Sequence, residues 1–303
     1  MRSRIIISEF MDQPAVERLA ARHDVDYRPR LVEDATALAA ALPDAIAWIV
    51  RNRTPVRGEL LEAARSVRVV GRLGVGLDNI DVEACAARGI EVIPATGANA
   101  ESVAEYVVSA ALVLLRGAFF STKAVEAGTW PRQTLSQGRE ATGKVMGVVG
   151  YGNIGRLTAR KAEALGMRVV SYDSQVADAS TRDLDALLRQ SDVVSLHLPL
   201  TPQTRGLLDA HRLGLMKRDA VLVNTARGGV VDEAALAAML REGRLGGAAL
   251  DVFDHEPLPA GSALAGAPRL LLTPHIAGVT IESNERVSAL IAERVLEALE
   301  RSA

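Results

Sequence analysis

The chain has 303 residues, 49% of them hydrophobic and 24% charged, with a net charge of −2 and a single cysteine, Cys85. That length suggests about two domains, and the near-neutral balance argues against binding nucleic acid or a membrane through a broad basic field. One cysteine allows neither an intrachain disulfide nor a CxxC metal site, so no metal is expected, and a reducing, cytoplasmic compartment is.

The opening, MRSRIIISEFMD, has an apolar run of only three residues before charge returns, so no signal peptide is expected. Short apolar runs then alternate with amphipathic stretches. In the first third, strands are expected at 4–7, 45–50, 67–72 and 90–93, with helices between them at 14–22, 34–42, 57–65 and 81–88. That alternation means βα units and a parallel sheet buried on both faces. Residues 100–127 read as one long helical stretch without proline. Its most apolar part, 103–115, is interrupted by Glu105 and Ser109 and is too short to span a bilayer. A second series of strands follows at 144–150, 168–173, 192–198, 220–225, 247–252 and 269–273, and 282–302 is a last amphipathic helix with no strand after it. If that tail packs back on the first domain, the first domain is discontinuous, 1–98 plus 282–303, around a second domain at 99–281.

The segment VVGYGNIGR sets Gly150, Gly152 and Gly155 in a G-x-G-x-x-G array after a strand and at the start of a helix over 154–165. Each glycine has a physical role: a tight turn, close approach of the backbone to a pyrophosphate, and close helix–sheet packing, with the helix N-terminus favouring negative charge. Asn153 and Ile154 complete the loop. Asp173, at the end of the next strand, can bind both ribose hydroxyls, and Ser174 and Gln175 supply no arginine for a 2′-phosphate. NAD is therefore expected over NADP. A second glycine-rich segment, GRLGVGLDN, has Gly71, Gly74 and Gly76 but Asn79 where a third fingerprint glycine would stand. It reads equally as a turn whose N–H groups could hold an anion and as a purely structural turn.

Three further segments lie at expected strand ends: VNTARGGVVDE (223–233), DVFDHEP (251–257) and LTPHIAG (272–278). Carboxyl ends of strands are where open α/β sheets bind ligands. With the fingerprint, and with VRNRT, VGRLGVGLDNID and GANAESVAEY, these segments resemble the D-isomer-specific 2-hydroxyacid dehydrogenases over nearly the whole chain. The resemblance implies an α/β protein of two doubly wound parallel-sheet domains, a Rossmann NAD-binding domain inserted into a flavodoxin-like substrate domain. It also implies a homodimer formed through 100–127.

Carried over residue by residue, the resemblance makes Arg227 the group that grips the substrate carboxylate and C2 oxygen. His275 becomes the general base for the C2 hydroxyl, and Glu256 its partner. Asp251 becomes the carboxylate near the nicotinamide amide, with Pro199, Thr225, Ala226 and His275 as further cofactor contacts. Val75 and Gly76 match a loop whose N–H groups receive the substrate carboxylate. Arg51, Arg72 and Arg132 match three arginines around a phosphate at C3, the last from a neighbouring subunit. His23, His197 and His211 read as structural, and Asp254 and His255 as loop residues. Within the family, IISEFMD with VRNRT and VGRLGVGLDNID is most similar to members acting on sulfolactate. The expected reaction is NAD-dependent oxidation of a short 2-hydroxy acid carrying a C3 sulfonate or phosphate, giving the 2-oxo acid. The alternatives are a hydroxypyruvate or glyoxylate reductase and, of another class, an NAD-sensing corepressor-like binding protein. No regulatory domain is expected beyond residue 303, and serine feedback is therefore not expected.

Overall fold

The computed structural model describes residues 3–301. The chain divides into two compact units: one takes in the chain up to Asn99 with the segment from Val279 onward, the other Ala100–Gly278.

The first unit is built on β1 (Arg4–Ile7), β2 (Asp24–Tyr27), β3 (Ala45–Val50), β4 (Val69–Arg72) and β5 (Glu91–Pro94), all parallel, in the order β2-β1-β3-β4-β5. This is the flavodoxin-like winding, whose order reverses between β1 and β3. Consecutive isoleucines suit a strand covered on both faces. Ile5 and Ile7 pack with the helix Ile281–Arg301, which presents Val287, Ile291, Val295 and Leu299 at four-residue spacing. Ile6 points the other way, toward Trp48 and Leu38. β2 was not expected. It is an edge strand of sequence DVDY with no fully buried residue, so it lacks the apolar run by which strands are read.

The second unit carries β6 (Val145–Val149), β7 (Arg168–Tyr172), β8 (Val193–Leu196), β9 (Val221–Asn224), β10 (Gly247–Leu250) and β11 (Leu270–Leu272), again parallel, in the order β11-β10-β9-β8-β6-β7. Beyond β7 a single parallel bridge joins Tyr172 to Thr181. Counting that bridge as a strand reduced to one residue pair restores the dinucleotide-fold order, with its reversal between β6 and β8.

The continuous helix expected over 100–127 is corrected. The helix Ala100–Arg116 ends at Gly117, which takes the left-handed conformation (φ +64°), and the chain continues as a 3₁₀ turn, Ala118–Ser121, and a short helix, Thr122–Glu126. A glycine there stops a helix because it reverses the backbone without a Cβ penalty. Val103, Val107, Ala110, Ala111 and Leu114 of the first segment are buried within the unit. No single helix among the described residues is long and apolar enough to cross a membrane. The two segments together reach that length and composition, but they bend by 64° at the break.

Candidate active site

β6 ends at Val149, and the chain turns through Gly150 (φ +95°) into the helix Asn153–Ala164. A Cβ on Gly155 would lie 2.1 Å from the Gly150 carbonyl oxygen, so only glycine lets the helix start this close to the strand. A Cβ on Gly152 would meet nothing within 4 Å, so the backbone there faces open space. No side chain caps this helix, which leaves the first-turn N–H groups of Asn153 and Ile154 directed at whatever binds in front of them. Asp173 follows β7. Its carboxylate accepts from the backbone N–H groups of Tyr151 (2.8 Å), Gln175 (2.8 Å) and Val176 (3.1 Å). Burial pushes its pKa up, but these N–H groups and nearby Arg182 outweigh burial and hold it below the usual carboxylate value. Arg182 also donates to the Asp173 carbonyl (2.6 Å), placing beside the acidic residue an arginine that the sequence reading, confined to 174–175, did not find.

The second cluster comes from the ends of β9, β10 and β11. Asn224 closes the turn after β9: its amide donates to the Arg227 carbonyl and its oxygen accepts from Ala226 N–H, both at 3.0 Å. Thr225 keeps a buried hydroxyl with no hydrogen-bond partner among the described residues. Pro199 is exposed just beyond β8, its carbonyl accepting from the Thr204 hydroxyl at 2.6 Å.

His275 takes a left-handed backbone conformation (φ +55°), uncommon for a residue with a Cβ. Its N–H donates to the Asp251 carbonyl at 2.8 Å. The Asp251 side chain, 1% exposed, accepts from the Thr273 hydroxyl (2.6 Å), Ile276 N–H (2.8 Å) and Ala277 N–H (2.8 Å). Tyr106 extends the chain of bonds, its hydroxyl 2.6 Å from that of Thr273. The His275 Nδ1 lies 2.7 Å from Glu256 Oε2, and Glu256 Oε1 accepts from Phe253 N–H at 3.1 Å. With Nδ1–H given to the carboxylate, Nε2 carries the lone pair and is the atom able to take a proton.

In the first unit, Arg51 follows β3 and Arg72 ends β4. Arg51 donates to Asn284 Oδ1 at 2.7 Å, while Arg72 is buried with its guanidinium against Gly74. The N–H groups of Val75 and Gly76 donate to no group of the chain among the described residues. Arg132 stands apart: it is exposed on the short helix Arg132–Leu135 and makes no ion pair among the described residues.

A family model, the D-isomer specific 2-hydroxyacid dehydrogenase NAD-binding domain, matches residues 108–277. The chain is 50% identical to an (S)-sulfolactate dehydrogenase of Chromohalobacter salexigens, over 98% of each chain. The chain belongs to the D-isomer-specific 2-hydroxyacid dehydrogenase family. It is 40% identical to a D-3-phosphoglycerate dehydrogenase of Mycobacterium leprae, covering 97% of its own length but 56% of the relative's. Among solved structures, the TT0316 protein of Thermus thermophilus superposes with a TM-score of 0.90 at 35% identity, over 98% of this chain and 97% of that one.

As a member of this family the chain is an NAD-dependent dehydrogenase acting on a CH–OH group. Its own residues fit the cofactor: an open approach at Gly152, an uncapped helix start, a charged Asp173 and the unpartnered Thr225 hydroxyl suit pyrophosphate and ribose. Four residues of this dehydrogenase escaped sequence reasoning: Tyr106, Thr273, Glu9 and Asn284. Glu9, Tyr106 and Thr273 lay in quoted segments and Asn284 did not, and no local spacing links any of the four to its partner.

Proposed function

We propose that this dehydrogenase oxidises (S)-3-sulfolactate, or a close analogue bearing a second anion at C3 such as 3-phosphoglycerate, to the 2-oxo acid. The observation that carries this reading is the 50% identity to a sulfolactate dehydrogenase along both chains. Arg51 and Arg72, at the carboxyl ends of β3 and β4, supply charge for a tetrahedral oxyanion, and the N–H groups of Val75 and Gly76 receive the carboxylate. Arg227 orients the carboxylate and the C2 oxygen. His275 Nε2 takes the C2–OH proton, and Glu256 holds the ring through Nδ1 and balances the imidazolium that forms. NAD, held by the Gly150–Gly155 turn and Asp173, would supply the acceptor for the C2 hydrogen, which leaves with its bonding pair as hydride. Asp251 fixes the loop that carries His275. Because sulfur outranks oxygen in naming priority, the D-like arrangement at C2 is called S in sulfolactate, consistent with the family's stereochemistry.

Steady-state NAD reduction with (S)-sulfolactate, 3-phosphoglycerate, glycerate and (R)-lactate side by side tests this. Preference for the two substrates that carry a second anionic group at C3 is expected. Preference for glycerate would favour a hydroxypyruvate or glyoxylate reductase, and no reduction with any of them an NAD-sensing binding protein.

We also propose a homodimer. Phe119, Phe120, Val125 and Trp130 are exposed by 65%, 41%, 44% and 76%, an apolar surface next to Arg132 that a partner would cover. Sedimentation as a monomer at micromolar concentration would refute this and remove Arg132 from the substrate site. The free Cys85 and reliance on a dissolved nicotinamide cofactor support a cytoplasmic location.

A further inference from the structure

We propose that Asn284 is a positioning residue that aims the Arg51 guanidinium at the substrate's C3 anion, and that this pair sets the preference for a charged tail over an uncharged one. The proposal rests on the substrate reading above. Arg51 follows β3 and Glu9 lies two residues beyond β1, so both stand at the carboxyl ends of the strands between which the first sheet reverses its order. That is where an open α/β sheet holds its ligand.

The loop under Arg51 is held from two sides. The buried Glu9 carboxylate accepts from three backbone N–H groups, those of Arg51 (2.8 Å), Thr54 (3.0 Å) and Arg53 (3.2 Å). The Asn79 amide donates to the carbonyls of Thr54 (2.6 Å) and Arg51 (3.1 Å). Glu9 therefore bonds the backbone, and its charge reaches the Arg51 guanidinium only through space. The groups that touch the guanidinium are neutral. Arg51 donates through Nη2 to Asn284 Oδ1 at 2.7 Å, and its guanidinium lies 5.9 Å from the centre of the Phe10 ring.

Four other arginines of this unit meet carboxylates directly. Arg4 and Arg28 pair with Asp26, and Arg30 and Arg53 with Glu33. A guanidinium bonded to a carboxylate has spent its charge, whereas one steered by an amide and a ring keeps it for a ligand. Asn284 is well placed to steer. It is the fourth residue of the helix Ile281–Arg301, whose Val287 and Ile291 are buried in the sheet's core, and it uses one of the five donors in the arginine fork.

The test compares (S)-sulfolactate with (R)-lactate, which differ only by the sulfonate, in Asn284→Ala and Asn284→Asp. The ratio of the two kcat/KM values should fall about 3- to 10-fold in the alanine variant, and about 30-fold or more in the aspartate variant, where a carboxylate competes for Arg51. The loss should appear in KM for sulfolactate rather than in kcat. An unchanged ratio in both variants, whatever the total activity, overturns the proposal, because a merely structural role would lower both substrates together. If the unaltered protein shows no preference for sulfolactate, the substrate reading falls. The positioning role is then read from calorimetric binding of sulfoacetate without cofactor: weaker binding in the aspartate variant supports it, and equal affinity in all three proteins overturns it.

Discussion

Replacing Asp251 by Asn changes one atom of a buried side chain and sets up a conflict that can be counted. The carboxylate accepts three hydrogen bonds, two at Oδ1 from Thr273 and Ile276 and one at Oδ2 from Ala277. An asparagine has one accepting oxygen. With that oxygen in the Oδ1 place, its NH₂ group faces the Ala277 N–H; flipped, it faces the Ile276 N–H. Either way a buried donor meets a donor. One unsatisfied buried group costs about 1–3 kcal/mol, and loss of charge from the remaining bonds brings the total to about 2–4 kcal/mol. The loop has little in reserve, because the left-handed backbone at His275 already costs on the order of 1–3 kcal/mol and persists only while its surroundings enforce it. Asp251→Asn should therefore lower the melting midpoint by roughly 5–10 °C and, by letting His275 drift, lower kcat/KM on the order of 10²-fold. Thermal melts followed by circular dichroism and steady-state NAD reduction measure the two effects. Thr273→Val, which removes one bond of the same set, should cost about 1 kcal/mol. An unaltered midpoint together with unaltered kcat/KM in Asp251→Asn would refute the reasoning.

Three further outcomes are expected. His275→Ala should lower kcat on the order of 10²–10⁴-fold, the usual worth of general acid–base catalysis, while melting as the unaltered protein does; near-normal turnover removes the assignment. Glu256→Gln should lower kcat about 10²-fold. Its single oxygen cannot serve both Phe253 N–H and His275 Nδ1–H, and an NH₂ turned toward Nδ1 moves the ring proton to Nε2, where the base must be bare. Rapid-quench or stopped-flow turnover reads it. Desolvation pushes the pKa of His197 down to about 3, its Nε2 bonded 2.8 Å from the Ser195 hydroxyl. Between the ordinary histidine value and 3 the unfolded chain binds a proton that the folded chain does not, so stability falls with falling pH by up to about 1.4 kcal/mol per pH unit. Urea midpoints at pH 7 and pH 5 should separate, and His197→Gln should narrow the gap; equal gaps in both proteins would show that another group is responsible.

How much of this was readable beforehand depends on the distance over which a feature is encoded. The dinucleotide turn is local: three glycines within six positions impose one backbone path, and an aspartate one strand later completes it. Both sheets were legible because strands covered on two faces, such as RIII and VMGVV, read as unbroken apolar runs. β2 was not, because DVDY at an edge carries alternating charge. The break at Gly117 was missed for a different reason: glycine inside a helical pattern is tolerated often enough that only the backbone itself declares the stop. Partners of the site residues were the least legible. Arg51 and Asn284 are 233 residues apart, and Tyr106 and Thr273 are 167 apart. Asn284 and Tyr106 are ordinary residue types on ordinary helices, and no short-range pattern marks them.

Within DVFDHEP, the acidic side chains are sorted by what their oxygens face. Asp251 faces backbone N–H groups and a hydroxyl, all donors that cannot give up a proton, so it acts as a fixed charge that shapes the loop. Glu256 divides itself between one such donor and an imidazole, so it alone meets a group that is able to change its charge. Asp254 is exposed, its N–H donating to Glu233 and its carboxylate 3.7 Å from Arg205, and His255 is exposed beside it. His275 is thus held twice, by Asp251 through its backbone and by Glu256 through its ring. The two carboxylates should then separate by experiment. Asp251→Asn lowers stability and turnover together because it loosens the buried loop. Glu256→Gln lowers turnover with little change in the melting midpoint, because its bond to His275 joins side chains that are 35% and 40% exposed. Equal losses of stability in the two variants would mean that the loop and the ring are one structural unit, and the division of labour argued from their contacts would be wrong.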